Sequence, residues 1–184
     1  MAIPLRPISL VRFHWKLNHL KPPLPEVPKP YTMRVAAENE LAEAQRVVHA
    51  SYNLDHEWSG AGTYINEVVL PGLKKVFANE ANCLFVLHGK RIIAASAYAA
   101  EPEDGIHLVT GPCVLIEYRS RGIGGALLGA TLNALRGGGL KEAVGQTRPL
   151  SPASKYLCGK FGGLPLENPK GSSPPPTKES AAAA

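Results

Sequence analysis

The chain has 184 residues, of which 45% are hydrophobic, and its formal net charge at pH 7 is +5. That is enough apolar sequence for one globular domain with a sizeable core, and no apolar run is long enough to cross a bilayer. Four of the five excess positive charges fall within residues 1–30. The rest of the chain is close to neutral, so we expect no nucleic acid partner, which would need a basic face on the folded body.

Three cysteines, Cys83, Cys113 and Cys158, occur without a C-x-x-C pair and without histidines at zinc-finger spacing. This pattern predicts neither a disulfide framework nor a structural metal. Together with the lack of an apolar signal sequence at the start, it favours a reducing compartment and a cytoplasmic protein. The acid-free opening MAIPLRPISLVRFHWKLNHLK leaves an organelle transit peptide as an alternative, although it is poor in serine and interrupted by two prolines.

Proline and composition divide the chain into three regions. Seven of the 17 prolines precede residue 31, and KPPLPEVPKP can neither enter a helix nor form a regular strand ladder, so residues 1–30 are predicted to be a basic, extended arm. Near the other end, KGSSPPPTKESAAAA has no apolar face to bury, and residues 167–184 are predicted to be a disordered tail. The folded domain is therefore expected at residues 31–166.

The predicted arm contains the stretch ISLVRFHWKL, which mixes apolar, aromatic and cationic side chains. It is compatible with an added edge strand on the same domain, with a strand added to a partner, and with a segment that lies on an anionic membrane.

The first elements of the folded domain are a strand, two helices and a hairpin. TMRV predicts a short strand, and residues 41–52 repeat apolar side chains at helical spacing. TYINEVVLPGLKKVF predicts a second helix that Pro71 and Gly72 interrupt or kink. ANCLFVLHGKRIIAASAYA then predicts two strands in an antiparallel hairpin.

The later elements begin with GIHLVTGPCVLIEY, a long strand pattern in which Gly111 and Pro112 predict a bulge or a place where strands part. Apolar residues at 123–135 share one helical stripe, and the glycines at 137–139 can end that helix. A strand at EAVGQT and a short helix across ASKYLCGKF follow.

The segment EYRSRGIGGALL joins the irregular strand to the helix. The four amides of a first helical turn have no intrahelical acceptor and carry the positive end of the helix dipole. Gly122, Gly124 and Gly125 have no side chains to keep a ligand away, and Arg119 and Arg121 add positive charge. A phosphate or pyrophosphate suits this pattern best, although the same residues could form no more than a tight, solvated turn.

Two common phosphate motifs do not fit the chain. A dinucleotide-binding GxGxxG that starts at Gly122 would need glycine at Leu127. A P-loop that ends at Gly159-Lys160 would need Ser or Thr at Phe161. Binding of NAD or ATP through these motifs is therefore not expected.

The pattern Arg/Gln-x-x-Gly-x-Gly/Ala does fit, at Arg119, Gly122 and Gly124, between a bulged strand and an amphipathic helix. In this segment the chain resembles the acyl-CoA-binding core of the GNAT superfamily of N-acyltransferases. The predicted element order over residues 31–166 and the later SPASKYLCGKFGG are similar to the same fold. The resemblance implies an α/β fold in which helices flank a central mixed sheet with a splayed, bulged strand.

The resemblance also implies an activity and a cofactor site. It implies an enzyme, a monomer or a homodimer, that transfers the acetyl group of acetyl-CoA directly to a primary amine of a small molecule, peptide or protein, without a metal. The CoA pyrophosphate would be held by the turn and its arginines: Gly122, Ile123, Gly124, Gly125, Ala126, Arg119 and Arg121. The pantetheine arm and the thioester carbonyl would face the main chain of Cys113, Val114 and Leu115, where fixed donors polarise the carbonyl.

The catalytic positions depart from the family pattern. Where these proteins commonly carry a tyrosine that returns a proton to the CoA thiolate, this chain has Cys158, which could return the proton itself or be a small buried residue. Tyr156 is nearby, but two residues along a helix is about 200° around it, so it should point elsewhere unless the helix is distorted. Glu117 and His107 are the candidates for the base that takes a proton from the amine, and each also has an ordinary structural interpretation.

Recognition of the acceptor is implied for two loops, YNLDHEWSG and EPEDG. The first offers Tyr52, Asp55, Glu57 and Trp58, two carboxylates beside an aromatic wall, which suit a cationic amine but are also common in solvated loops. The alternative to an enzyme is a non-catalytic acyl-CoA-binding or partner-binding module that kept the phosphate-binding turn and lost the active site.

Overall fold

The computed structural model describes residues 8–166, so the predicted tail lies outside the described residues. The strands are β1 (Val11–Lys16), β2 (Tyr31–Val35), β3 (Cys83–His88), β4 (Arg91–Ala97), β5 (Cys113–Val114), β6 (Glu142–Thr147) and β7 (Leu164–Leu166). The α-helices are α1 (Leu41–Asn53), α2 (Gly62–Tyr64), α3 (Leu70–Asn79) and α4 (Ile123–Gly137). The α/β fold class predicted from the sequence is confirmed, but the single mixed sheet expected with it is not: the strand pairs within residues 8–166 are all antiparallel and divided between two sheets, because β5 pairs with β4 and not with β6.

The first sheet has the order β2-β3-β4-β5. β3 and β4 form the predicted hairpin, which turns at Gly89, where φ is +59°, a left-handed conformation that glycine adopts without strain. β4 is buried along almost its whole length because α1 and α4 both pack against it. This double cover explains why RIIAASA is a run of apolar and small residues and does not alternate.

The helices follow their predicted apolar stripes. α1 buries Ala44, Val47, Val48 and Ser51, which recur at a spacing of three or four residues. α4 buries an aliphatic stripe that runs from Ile123 to its last turn, and it ends at the predicted run of glycines. Each fully buried Leu or Val side chain contributes about 1.5–3 kcal/mol to folding, so this layer of helices on the sheet supplies most of the core.

The second sheet has β1 in its centre, between β6 and β7. The sequence VRFHWK alternates apolar and polar residues, and Phe13 and Trp15 are buried in one cluster with Leu128 and Leu132 of α4. The sequence predicts residues 11–16 to be part of an extended arm, or an added edge strand, because prolines follow them. The alternating face lets this segment form a central strand of the folded body instead.

The two sheets touch at Leu108 and separate beyond it. Leu108 bridges to Tyr98 at the end of β4 and donates its N–H to the Val144 carbonyl of β6 at 3.0 Å. Gly111 then takes a φ of +64° and Pro112 lacks an N–H, so the strand predicted across residues 106–118 is reduced to the two residues of β5. From there the chain pairs with β4 alone, and a wedge opens between β5 and β6.

Two helical segments are irregular, and for the first of them the sequence predicted an interruption. The second predicted helix runs without a break from Gly62 to Asn79, and its irregularity is a π turn at Ile65–Val69, directly before Leu70 and Pro71, whose missing N–H removes one donor from the helix. The predicted closing helix is a π turn at Ala153–Leu157 and a short 3-10 turn at Lys160–Gly162, followed by β7, which sequence analysis did not predict. None of the helices within residues 8–166 is long and apolar enough to cross a membrane.

Candidate active site

A cleft of about 390 Å³ opens where β5 and β6 diverge. Residues 110–114 form one wall, the end of β6 from Gly145 to Thr147 forms another, and the start of α4 and the π turn at Ala153–Leu157 complete it. Trp15 of β1 also lines the cleft. The predicted strand-to-helix turn therefore lies in the wall of a cavity and not on an open surface.

The first turn of α4 has free amides beside this cleft. Gly122 precedes the helix with a φ of +79°, and it has no side chain that could cap the amides of Ile123, Gly124 and Gly125, which helical geometry leaves without an acceptor. The amide of Ala126, predicted to bind phosphate, instead donates to the Gly122 carbonyl at 3.1 Å, because it makes the first hydrogen bond of the helix.

Lys160 extends its ammonium group to the same turn. A Cβ atom built on Gly125 would lie 3.3 Å from Lys160 Nζ, and both residues line the cleft. A cation at the positive end of a helix is unfavourable by itself, so an anion between the two would relieve the repulsion. In the sequence, Lys160 stands out only as part of a P-loop pattern that fails, because no sequence spacing relates it to residue 125.

Trp15 holds the turn that carries this lysine. Its Nε1–H donates to the Lys160 carbonyl at 3.0 Å. The turn packs closely against Trp15 at Gly163. A Cβ atom built on Gly163 would lie 2.5 Å from Trp15 Nε1 and would overlap the carbonyl oxygen of Cys158. The central strand of the second sheet therefore positions the cationic side of the cleft.

Arg119, predicted to bind phosphate, is engaged by protein groups on three sides. Its guanidinium forms an ion pair with Asp55 at 2.6 Å and donates to the Ser51 carbonyl at 2.8 Å and the Val114 carbonyl at 3.0 Å. It lines the cleft, but these bonds direct it toward α1 and the loop after it. Arg119 thus fastens the loop to the irregular strand.

Arg121 points toward the first sheet. It donates to the Tyr31 hydroxyl at 2.9 Å and to the Glu117 carbonyl at 3.0 Å, and its guanidinium carbon lies 5.5 Å from the centre of the Tyr118 ring. It is exposed and does not line the cleft. The structure therefore brings Lys160 to the start of α4 in the place where sequence analysis expected the two arginines.

The main chain of β5 alternates between the sheet and the cleft. Leu115 donates its N–H to the Ile93 carbonyl at 3.0 Å, and Cys113 pairs with Ala95 in the same ladder. Because successive residues of a strand direct their main-chain groups to opposite sides, Val114 directs its N–H away from β4. Of the three residues predicted to face a thioester, Val114 has its backbone on the side of the cleft.

Among the comparisons with known proteins, the one with solved structures identifies the fold. No family model matches the sequence, and no curated protein matches it. A GCN5-related N-acetyltransferase from Sphaerobacter thermophilus superposes with a TM-score of 0.59 and 16% identity over 88% of this chain and 50% of that one. A GNAT-family protein from Novosphingobium aromaticivorans, described as an acetyltransferase, has a TM-score of 0.52 and 16% identity over 84% of this chain and 58% of that one.

The chain has the GNAT fold. A Drosophila protein of similar architecture gives a TM-score of 0.57 and 17% identity over 87% of this chain and 49% of its own. The chain thus spans about half the length of the first solved structures that it matches.

Within the GNAT fold, the two predicted bases lie away from the cleft. Glu117 is exposed and pairs with Arg91 at 2.9 Å, and hydrogen bonds from its own backbone and from Arg91 lower the pKa of its carboxyl. His107 is half-buried, its Nδ1 accepts the Val144 N–H at 3.1 Å, and burial lowers its pKa. Neither residue lines the cleft, so the structure does not bring them to the site.

Cys158 and Tyr156 both line the cleft. Burial raises the pKa of the Cys158 thiol to about 12, so the thiol keeps its proton at neutral pH. Tyr156 is 75% exposed, and the segment that carries it is a π turn, the kind of distortion under which the sequence allowed this residue to face the cleft. A tyrosine therefore lies at the cleft two residues before Cys158, the position where the resemblance implied one.

The loop predicted to bind an amine is mostly engaged within the protein. The Asp55 carboxylate is neutralised by Arg119 and caps the Glu57 amide at 2.9 Å, and Glu57 does not line the cleft. The Tyr52 hydroxyl donates to the Thr110 carbonyl at 3.0 Å, and its ring packs edge-on against Trp58, which is 8% exposed. These residues form a rigid wall of the cleft and leave no free carboxylate for a cation there.

Proposed function

We propose that this protein is an N-acetyltransferase that binds acetyl-CoA in the cleft and transfers the acetyl group to a primary amine of a small molecule or peptide. One arrangement carries the proposal: the free amides at the start of α4 face the Lys160 ammonium at the wall of a cleft between diverging strands. Amide N–H groups and an ammonium together satisfy phosphate oxygens.

The residues present fit an acyl-CoA. The pyrophosphate would lie between α4 and Lys160, and the pantetheine arm would follow the main chain of β5 into the wedge. The apolar side chains of Val114, Leu128 and Leu157 line that path and suit an aliphatic arm.

The reaction needs few side chains. The amine nitrogen attacks the thioester carbonyl, the C–N bond forms, the C–S bond breaks, and the electron pair leaves on sulfur. The proton lost by the amine passes to solvent, and the thiolate takes one up to give the CoA thiol. The Val114 N–H would stabilise the negative charge on the carbonyl oxygen, as fixed backbone donors do in other acyl transfers.

The first experiment is a calorimetric titration of the protein with acetyl-CoA, with NAD and ATP as controls. Gly124→Glu would place a carboxylate in the cleft beside the first turn of α4, on the side of Leu157 and Val114, where it would obstruct the bound acyl-CoA. Gly124→Ala is its matched control, because a Cβ atom there meets ordinary contacts at 3.9 Å to Leu157 and Val114. We expect saturable binding of acetyl-CoA alone, with an affinity that Gly124→Glu abolishes and Gly124→Ala changes by less than about tenfold.

Lys160→Ala provides a second variant at the same site. It removes the cation without adding a charge, and we expect acetyl-CoA to bind about tenfold more weakly. If the unmodified protein shows no saturable binding of acetyl-CoA, the proposed function is wrong.

The alternative is a non-catalytic acyl-CoA-binding module. It is favoured by the positions of Glu117 and His107 outside the cleft and by the ion pair that occupies Asp55. The two functions differ in turnover. Release of free CoA thiol with any amine of a broad panel supports the enzyme, and binding of acetyl-CoA without release supports the module.

A further inference from the structure

A second cavity, of about 930 Å³, lies on the other side of the wedge. We call it the acidic groove. It is formed by the outer face of the π turn at Ile65–Val69 and of α3, and by residues 98–106, the loop that follows β4. Val109 and Gln146 close its inner end.

The acidic groove carries concentrated negative charge in a protein whose formal net charge is +5. Five carboxylates line it against one ammonium group, that of Lys75: Glu67, Glu80, Glu101, Glu103 and Asp104. Lys75 pairs with Glu103 at 2.9 Å, and both side chains are exposed, so this pair offsets little of the field. Such a groove attracts cations to its mouth.

The charges are spread along the groove and are separated by apolar surface. Glu67 and Glu80 lie on one helical run, thirteen residues or about 20 Å apart. The lining of the groove also includes Val68, which is 45% exposed, together with Tyr64 and Tyr98. Separated carboxylates with apolar and aromatic surface between them complement a chain of methylene groups that carries several ammonium groups.

The groove and the cleft meet at one side chain. Gln146 of β6 lines both cavities, and its Nε2 donates to the Tyr64 hydroxyl at 3.0 Å. The Gln146–Tyr64 pair thus stands at the inner end of the acidic groove, next to the wedge between β5 and β6. This pair is the boundary that an amine entering along the groove would meet before the cleft.

We propose that the acidic groove is the entry for the acceptor, and that the acceptor is an aliphatic polyamine whose terminal nitrogen is positioned at Gln146 and Tyr64. This inference rests on the proposed function, because the cleft must hold the thioester that the amine attacks. The remote ammonium groups stay charged on the carboxylates of the groove, while the terminal amine loses its proton and attacks.

Direct binding of spermidine tests the groove separately from acyl transfer. The double variant Glu67→Gln/Glu101→Gln removes two groove carboxylates, and Glu26→Gln/Glu38→Gln removes two exposed carboxylates elsewhere as a control with the same change of net charge. We expect the groove variant to bind spermidine at least about tenfold more weakly than the unmodified protein, with the affinity for acetyl-CoA unchanged. We expect the control variant to match the unmodified protein in both titrations.

Three results would overturn the assignment: no binding of spermidine by the unmodified protein, an equal loss of affinity in the groove and control variants, or binding of a lysine-rich peptide in preference to spermidine. Failure of acetyl-CoA to bind, with spermidine binding intact, would instead remove the proposed function and leave the groove as a polyamine site.

A bisubstrate probe tests the junction. In this probe the CoA sulfur is joined through an acetyl bridge to a terminal nitrogen of spermidine, so it must occupy both cavities at once. We expect it to bind at least about a hundredfold more tightly than acetyl-CoA. An affinity no higher than that of acetyl-CoA would mean that the two cavities do not meet at Gln146, which contradicts the proposal.

Discussion

At the scale of single residues, Cys158 occupies the position where the resemblance to GNAT proteins implied a proton-donating tyrosine. Its thiol has a pKa of about 12 in the folded protein, well above the ordinary value for a thiol near 8.5. Transfer of a proton from such a thiol to the less basic CoA thiolate runs uphill. Cys158 is therefore better suited to packing beside Leu157 and Phe161 than to catalysis.

We predict that Cys158→Ala keeps kcat within about twofold of the unmodified protein, measured as release of CoA thiol between pH 6 and 9. Tyr156→Phe is the informative companion, because Tyr156 also lines the cleft and its hydroxyl is the other candidate proton donor there. A fall in kcat of tenfold or more in Cys158→Ala, with KM unchanged, would contradict this view and make the thiol the proton donor.

Residue-scale prediction from the sequence succeeded where the pattern was local and failed where contacts are distant. The glycines after Arg121 and the stripe of α4 lie within one segment, so the free amides beside a cleft were found. The contacts of Lys160 with Gly125 and of Arg119 with Asp55 join residues far apart in sequence. Charge type alone could not tell that Lys160 faces the cleft or that Arg119 is engaged elsewhere.

At the scale of elements, His107 joins the two sheets near the place where they separate. Its Nδ1 accepts the N–H of Val144 in β6, which requires the neutral imidazole, and burial lowers its pKa below the ordinary value of 6.5. Since the folded state binds this proton less readily than the unfolded chain, the contribution of His107 to stability is complete above pH 6.5. It is lost as the pH falls through the lowered pKa.

We predict that the free energy of unfolding decreases between pH 6.5 and 5, and that His107→Asn makes this decrease smaller, because an amide oxygen accepts the same hydrogen bond without titrating. The measurement is urea denaturation at several pH values, with exposed His19→Asn as the control. Equal pH dependence in the His107 and His19 variants would show that the link to Val144 does not control acid stability.

The strands show why a pattern can be present and still be missed. VRFHWK alternates as a half-buried strand does, but the prolines of KPPLPEVPKP, which begins four residues after it, favoured an arm. Those prolines rule out a regular strand only for residues 21–30. The partners of β1 lie beyond residue 141, and local sequence carries no record of such distant pairing.

At the scale of the whole molecule, Arg119 connects the helical layer to the wall of the cleft. Its side chain is 29% exposed and that of Asp55 is 11% exposed, so the ion pair is largely withdrawn from water. Removing the arginine would leave the Asp55 charge and the carbonyls of Ser51 and Val114 without their partner. Breaking such a pair from one side is more costly than losing an exposed one.

We predict that Arg119→Ala lowers the free energy of unfolding by about 3 kcal/mol, and that exposed Arg121→Ala lowers it by about 1 kcal/mol or less, both measured by chemical denaturation. If instead Arg119→Ala leaves stability intact and abolishes acetyl-CoA binding, the arginine is a phosphate ligand, as its place in the motif first indicated.

The central position of β1 has a consequence for how the protein is made. Its partners β6 and β7 are synthesised more than a hundred residues later. The side chains of Phe13 and Trp15 therefore stay exposed to solvent while most of the chain is translated. Closing so long a loop is slow, and an unpaired strand with apolar side chains readily joins another chain. The yield of native protein should therefore depend on how well β1 is kept from associating with other chains until β6 and β7 have left the ribosome.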